Sequence, residues 1–467
     1  MEGLEASEVR LSELNLGDRC DAEYFSKQDL EIEIILKRTS ARELRSFGNF
    51  VASAFYPAAT QLYEFGDIPF VRCVDCINFP LITTKQEYFF EKIPKTFINA
   101  NKGINILKKG DIVITKVGTP CYTSLIFDYD TVALSRTVLG MKDIEGINPF
   151  YLLVFLRSKY GFSQLLRERE LTIQYQLTLE RVKKILVYIP SLEFQNSIQV
   201  IVEKYIKVLN NSKSLYREAE ALLLETIGLK DFQPSRENKN IKTFKESFLA
   251  TGRLDAEYYQ PKYEEIIAKI KQKEYDLLCN LVYIKKSIEP GSDTYSDKGL
   301  PFLRVADYNK LGISAPEKKL SDNFCNDNRV LIDGLRPKKD TILFSKDGSV
   351  GTAYMLSEDA DFITSGAILH LTVKNRKVLP EYLTLALNSE AIRQQAERDA
   401  GGSIILHWRM EEIEHVIVPL IDISVQRQIA ELINKSFALR KESEQLLEEA
   451  KNMVEKEIEQ NAIDASQ

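Results

Sequence analysis

Three short stretches place chemically capable residues at suggestive spacings. Asn148-Pro149-Phe150-Tyr151 has the outline of the loop with which amino-group methyltransferases grip a base turned out of the duplex. Cys73 and Cys76 stand as one CxxC pair, half of a thiolate zinc site. KDGSVGT, residues 346 to 352, looks like a glycine-rich phosphate cradle. Each fails on its own terms. The counterpart of NPFY later in the chain is LPEY at 379 to 382, so a proline opening a helix explains both copies. No FxGxG-like loop after a strand offers S-adenosylmethionine a place. No second cysteine pair stands at ligand spacing, and the matching stretch RVADYN has no cysteine. KDGSVGT lacks the Lys-Ser/Thr ending, which leaves a hairpin turn. His370, His407 and His415 accompany no motif that would make any of them a base or a ligand. His407, beside Trp408, has the chemistry to stack on or bond to a base, but a structural role is the expectation. No catalytic residue and no metal site is assigned.

A different signal organises the chain. RCDAEYF at 19 to 25 returns as RLDAEYY at 253 to 259, and later stretches recur in the same order. GDIPFVRCVDCINF at 66 to 79 answers to KGLPFLRVADYNKL at 298 to 311, with Arg72 on Arg304. GDIVITKVGTP at 110 to 120 answers to KDTILFSKDGSVG at 339 to 351. Pro149 matches Pro380 ahead of an apolar segment, and Gln195 matches Gln426 at an offset of 231 residues. A repeat of roughly 230 residues is too long for a solenoid array and implies two similar domains. The 467 residues suffice for two cores.

With 44% hydrophobic and 28% charged residues the composition is that of a globular protein rather than a disordered one. No apolar run has the length of a membrane span. The acidic N-terminus lacks the basic start and apolar stretch of a signal peptide, and six scattered cysteines form no disulfide framework, so a cytoplasmic location is expected. The net charge of −6 excludes a global field favouring nucleic acid, so any such binding must come from local patches.

The elements that position those patches follow from periodicity. VITKVG, SLIFDYD, TILFSKDG, AYMLSED and ILHLTV are short β-branched or aromatic runs bounded by Gly, Asp or Asn, the pattern of strands. GTP at 118 to 120 and DGSVG at 347 to 351 read as tight turns. Each half ends in a long helix. Ile198, Val202, Tyr205, Leu209, Ser212, Tyr216, Ala219 and Leu223 alternate spacings of four and three, a heptad seam. Ile429, Leu432, Ser436, Leu439, Ser443, Leu446, Ala450 and Met453 repeat it. Two matching seams in one chain predict that the helices pair with each other, antiparallel, and the small residues permit close approach. Gly228 and the polar stretch LKDFQPSRENKN behind it suit a joint.

The doubled D-A-E-Y-[FY] opening, the PF-x-R-[CV] stretch, the [KR]-x-D-[IT]-[IV]-[LI] run with its glycine turn, and the IP or VP leading through a glutamine into a long helix make the chain similar to one family. It resembles the specificity subunits of type I restriction-modification enzymes over nearly its whole length. PSLEFQ and PLIDISVQ depart from the family's Pro-Pro-x-x-Glu-Gln helix start. The resemblance implies an α+β fold, an internal duplication of two mixed α/β target recognition domains. Each is followed by a long helix, and the two helices pair as an antiparallel coiled coil. The domains implied are a first target recognition domain at 1–190, a central helix at 191–228, a linker at 229–252, a second target recognition domain at 253–420 and a C-terminal helix at 421–467.

It further implies a non-catalytic subunit that reads an asymmetric, bipartite sequence in double-stranded DNA. Two modification subunits and, with them, restriction subunits are the implied partners. S-adenosylmethionine, ATP and Mg are expected in those partners and no cofactor in this chain. The residues alone leave open a specificity module of another phage-defence or methyltransferase-nuclease assembly, or a duplicated-domain enzyme. Arginine reads guanine and asparagine or glutamine adenine in the major groove. The candidate DNA-binding residues are Arg72, Lys116 and Arg136 in the first half and Arg304, Lys346 and Arg409 in the second. Arg72 and Arg304 hold equivalent framework positions that an internal ion pair explains equally well, whereas Lys116 and Lys346 precede glycine turns. A helix of about 35 residues spans roughly 50 Å, so four residues inserted near Ser212 are expected to move the half-sites apart.

Overall fold

A computed structural model describes residues 6–10, 19, 21–54, 60–85, 90–118, 121–171, 175–402 and 405–465. Thr119 and Pro120, two thirds of the first expected glycine turn, lie outside the described residues, as does Cys20 of the repeated phrase. The chain divides into two compact units, one joining Met1–Asn210 to Arg440–Gln467 and the other comprising Asn211–Leu439.

The first unit opens with α1 (Lys27–Arg38) and then builds two sheets from short strands: β1 (Asn49–Ala52), β2 (Ile68–Val71), β3 (Leu81–Ile82), β4 (Lys92–Ile93), β5 (Ile106–Leu107), β6 (Ile112–Thr115), β7 (Thr123–Ile126), β8 (Val132–Leu134) and β9 (Val138–Lys142). One sheet runs β1-β9-β6-β7-β3 and the other β4-β2-β8-β5. The pair β2–β8 is parallel, Phe70 opposite Ala133, although some 60 residues separate the strands. Strands β6, β7 and β8 are buried on both faces, which explains their unbroken apolar and β-branched composition. Val71, Ile82, Val113, Ile126, Leu134 and Val138 pack as one core. There Gly140 on β9 is required by close approach, since a Cβ would sit 2.7 Å from Leu134 Cδ1. Helix α2 (Cys73–Asn78) follows β2, and α3 (Pro149–Arg157) and α4 (Lys159–Arg167) close the domain before the chain enters α5 (Leu192–Ile227). NPFY is a helix start: the Asn148 side chain accepts from the Phe150 amide at 2.9 Å, with Pro149 in the first turn.

The second unit repeats the plan. It runs from α6 (Pro261–Ile270) through β10 (Val282–Lys286), β11 (Tyr295–Ser296), β12 (Leu300–Leu303), β13 (Lys319–Leu320), β14 (Ile342–Ser345), β15 (Ala353–Met355), β16 (Ile363–Thr364) and β17 (Ile368–Val373). Helices α7 (Pro380–Leu387), α8 (Glu390–Asp399), α9 (Met410–Glu414) and, as far as Leu439, α10 (Ile423–Asp464) complete it. The sheets run β10-β17-β14-β15 and β11-β13-β12-β16, with β12–β16 parallel, Phe302 opposite Ile363. Phe344, Leu369, Tyr382, Ile392 and Trp408 share a core with Tyr216, Ala219, Leu223 and Ile227 of α5.

The repeated opening phrase is a clamp. Arg19 pairs with Asp21 (Nη2 to Oδ1, 2.8 Å), donates to the Arg169 carbonyl at 2.9 Å and lies 4.9 Å from the Tyr24 ring centroid. Arg253 likewise holds Asp255 (2.7 Å), the Asp399 carbonyl (3.0 Å) and the Tyr258 ring (4.5 Å). Each guanidinium thus caps carbonyls at the end of α4 or α8, where the helix leaves them without partners. Arg19 holds the Asp21 carboxyl down at about 2, so this contribution to stability is present above the ordinary carboxylate range and is lost only as pH falls toward that value.

The long helices are built into these units. Within the first, α5 meets the end of α10 through Lys204 and Glu442 (3.4 Å). Within the second, Tyr216 packs edge-on against Phe437 at 6.3 Å, and Ser212 and Ser436 exchange hydrogen bonds, each Oγ donating to the other's carbonyl at 2.8 Å. Within the second unit Ser212 meets Ser436, while further along α5 Ala221 and Leu222 line one hollow with Gln428 and Leu432, so the helices run antiparallel. Ile198, Val202, Tyr205, Leu209, Ser212, Tyr216, Ala219 and Leu223 are all buried. In α10, Ile429, Ser436, Ser443, Leu446 and Ala450 are buried, but Leu432, Leu439 and Met453 are half-buried and their neighbours Ile433 and Val454 take the core positions. The stripe continues as Ala450, Val454, Ile458 and Ala462, every fourth residue, because this end of α10 covers α3 and α4 as well as α5: Glu455 accepts from the Lys159 amide at 2.6 Å, and Glu459 pairs with the Lys159 ammonium. Ser436→Leu is expected to destabilise the second unit by about 2 kcal/mol through overpacking and lost hydrogen bonds, read as a shift of the urea midpoint. An unchanged midpoint would mean that the helices do not close on each other here.

Candidate nucleic-acid interface

Each unit gathers its candidate residues at one end of its strands. In the first, the Val71 carbonyl closing β2 accepts from the Ser135 amide at 3.0 Å, and the Thr137 hydroxyl receives the Cys73 amide at 3.3 Å. The Thr137 carbonyl takes the Lys116 amide at 2.8 Å, and the Lys116 carbonyl takes the Leu177 amide at 2.9 Å. Arg72, Lys116 and Arg136, 64 residues apart at the extremes, thereby meet. In the second unit the Ser365 amide bonds the Leu303 carbonyl (2.9 Å), the Lys346 amide the Ala367 carbonyl (2.9 Å) and the Trp408 amide the Lys346 carbonyl (2.8 Å). That ladder assembles Arg304, Lys346 and Arg409. The three backbone bonds of each ladder match at offsets of 230 to 232 residues, whereas the Cys73–Thr137 bond has no counterpart, since Ala367 carries no hydroxyl.

Side chains distinguish the candidates. Asp75 accepts from the Arg72 amide at 2.8 Å, and its carboxylate lies 3.4 Å from the Arg72 guanidinium; Asp307 treats Arg304 in the same way, at 2.8 and 3.6 Å. Burial pushes the Asp75 carboxyl up, against the pull of Arg72. These two arginines therefore hold the turn after β2 and β12 together, with Glu91 and Glu317 as outer partners. Arg136 is exposed in the turn between β8 and β9, and Arg409 is exposed at the start of α9 with its Nε 3.6 Å from Glu412. Lys116 is half-buried and has no carboxylate partner among the described residues. Lys346, only 16% exposed, is held by Asp347.

One residue outside the candidate set completes each cluster, Gln176 in the first unit and His407 in the second. Val117 bridges to Gln176 in the first unit, and Asp347 bridges to His407 at the same place in the second. The repeat offset of 231 carries Gln176 onto His407, so the duplication held the signal. His407 was expected to be structural; its ring is 64% exposed, and Nδ1 lies 2.8 Å from Asp347 Oδ1. Trp408 beside it is buried against Phe344, which rules it out as a surface on which a base could stack.

Among the described residues no group of three His, Cys, Asp or Glu side chains stands close enough to hold a metal ion, and no helix is long and apolar enough to cross a membrane. Cys73 is half-buried and Cys76 fully buried, where desolvation pushes its thiol well up and away from ligand chemistry.

A family model described as the type I restriction modification DNA specificity domain matches residues 40–221 and again residues 265–452. Among solved structures, the chain is similar to the S subunit of a type I restriction-modification system from M. genitalium, at 13% identity over 90% of this chain and 95% of that one, with a TM-score of 0.39. It is also similar to the HsdS subunit from Thermoanaerobacter tengcongensis, at 14% identity over 90% and 93% of the two chains, with a TM-score of 0.27. At such distances the family model, covering most of the chain in two copies, decides the assignment: the chain belongs to the type I restriction-modification DNA specificity subunits.

Proposed function

We propose that each unit reads one half of a split, asymmetric DNA site through its strand-end cluster, and that the paired helices fix the spacing between the halves. The observation that carries this reading is the matched ladder: Lys116, Thr137 and Leu177 superpose in role on Lys346, Ala367 and Trp408, while the exposed side chains around them differ. One backbone frame with two side-chain sets is what two different half-sites require. The chain itself performs no chemistry. Two modification subunits dock on it and bind S-adenosylmethionine, and restriction subunits joining them use ATP and Mg. With a net charge of −6, most of the non-specific hold on phosphate falls to those partners.

The test is an exchange of residues 20 to 190 for the same region of a relative, in the assembled methyltransferase. Methylome sequencing is expected to show one half-site changed and the other retained. A change in both halves, or in neither, refutes the reading. The chain alone with S-adenosylmethionine is expected to transfer no methyl group; transfer without the modification subunits would overturn its non-catalytic role.

A further inference from the structure

We infer that His407, held by Asp347, is the residue of the second unit that selects a base, and that it selects an exocyclic amino group, that of cytosine or adenine, in the major groove. The inference rests on the reading of this unit as a half-site reader and names the side chain that does it.

Three observations lead there. Of the three basic groups proposed for this cluster, Lys346 and Arg304 are tied to Asp347 and Asp307, which leaves them poor readers, and Arg409, 71% exposed, has its Nε 3.6 Å from Glu412. His407 is 64% exposed at the same strand end, while its Asp347 partner is 19% exposed. The backbone beneath His407 is also fixed: its amide and carbonyl pair with Gly401 at 2.7 and 3.0 Å, and the next loop residue, Leu406, accepts from the Gly348 amide at 2.8 Å. An exposed side chain on a pinned backbone, oriented by a covered carboxylate, is a preorganised recognition group.

The hydrogen-bond chemistry sets the ligand. A carboxylate has no proton to give, so Nδ1 of His407 is the donor to Asp347 Oδ1 at 2.8 Å. The same carboxylate takes the Lys346 ammonium on its other oxygen, which fixes its plane. With Nδ1 carrying the proton, the neutral ring presents Nε2 to solvent as an acceptor. Cytosine N4 and adenine N6 offer donors in the major groove at that position; guanine and thymine offer acceptors. In the first unit the same bridge carries Gln176, an amide with a donor and an acceptor, opposite Val117, which stands where the second unit has the carboxylate of Asp347. The two halves therefore read with different chemistry from one backbone position.

The experiment uses the complex with its modification subunits and duplexes carrying every single-base change of the methylome-defined site. His407→Ala is expected to lose discrimination about tenfold or more at one base pair of one half-site, with the other half unchanged as the internal control. Asp347→Asn, which keeps an acceptor for Nδ1, is expected to retain most of that discrimination, and Asp347→Val to lose it. The double change His407→Gln with Asp347→Val, which installs the pair of the first unit, is expected to shift the preferred base. Unaltered preferences in His407→Ala overturn the inference, as does a uniform weakening across all duplexes, which would mark a phosphate contact. The exchange of residues 20 to 190 keeps the two failures apart: if it moves one half-site cleanly while His407→Ala changes nothing, His407 alone is misassigned.

Discussion

Lengthening both long helices by four residues, between Asn210 and Asn211 in α5 and between Leu439 and Arg440 in α10, is expected to give a methyltransferase whose half-sites keep their sequences and lie one to two base pairs further apart. Four residues add about 6 Å of helix, and duplex DNA rises about 3.4 Å per base pair. They also turn the helix by about 400°, within roughly 40° of full register, so each seam keeps its face. The insertion must be made in both helices. The antiparallel contacts place Lys204 against Glu442 on one side of the insertion and Ser212 against Ser436 on the other. Four residues near Ser212 alone would put one set of contacts out of step with its partner, so the single insertion suggested by the seam of α5 is expected to destabilise the pair. Matched insertions of two residues rotate each seam by about 200° and are expected to abolish assembly. If methylome sequencing of the matched four-residue variant returned the original spacer, the helices would not be setting the distance.

Replacing Gln426 by leucine is expected to cost the second unit about 3 kcal/mol. Its side chain is fully buried at the start of α10, where it accepts from the Leu379 amide at 2.9 Å and donates to the carbonyls of Lys377 and Ile421 at 2.8 and 2.9 Å. Leucine has similar bulk but leaves one donor and two acceptors unsatisfied, each worth about 1–3 kcal/mol when buried. Gln195 does the same work in the first unit with two partners, the Asn148 amide at 2.8 Å and the Pro190 carbonyl at 3.0 Å. Trp408 is the only tryptophan and is buried in the second unit, so its fluorescence follows that unit through urea unfolding. A midpoint displaced by less than about 1 kcal/mol would show that Gln426 does not pin the long helix to its domain.

Much of this was legible before any coordinates, because a duplication compares a chain with itself. The doubled Arg-x-Asp phrase, Arg72 with Arg304 and Gln195 with Gln426 all stand at matching offsets, and each pair serves one structural purpose. Their counterparts survive where the purpose is backbone satisfaction, which tolerates little change. The seam of α5 was legible for the same reason as any amphipathic helix. That of α10 was read at the heptad period, whereas the core of the second unit takes Ile433 rather than Leu432, and beyond Ala450 packing against α4 favours every fourth residue and selects Val454 over Met453. Parallel pairs such as Phe70 with Ala133 left no local trace, since they depend on a return of the chain after many residues. The pairing of Asp347 with His407 was hidden because sixty residues separate them and the exposed position is one where the two halves differ.

The first unit is closed by both ends of the chain, Met1–Asn210 with Arg440–Gln467, whereas the second is one continuous segment. During synthesis this reverses the usual order of maturation. The ribosome finishes Asn210 and must add 254 more residues before α10 is complete at Asp464, a delay of roughly 10–50 s at 5–20 residues per second. Throughout that interval Lys204 and Tyr205 lack the α10 residues that meet them, Glu442, Arg440 and Glu444. The domain born first is therefore the last to be sealed, and a nascent chain that stalls before Ala450 leaves its oldest domain open to chaperones and proteases.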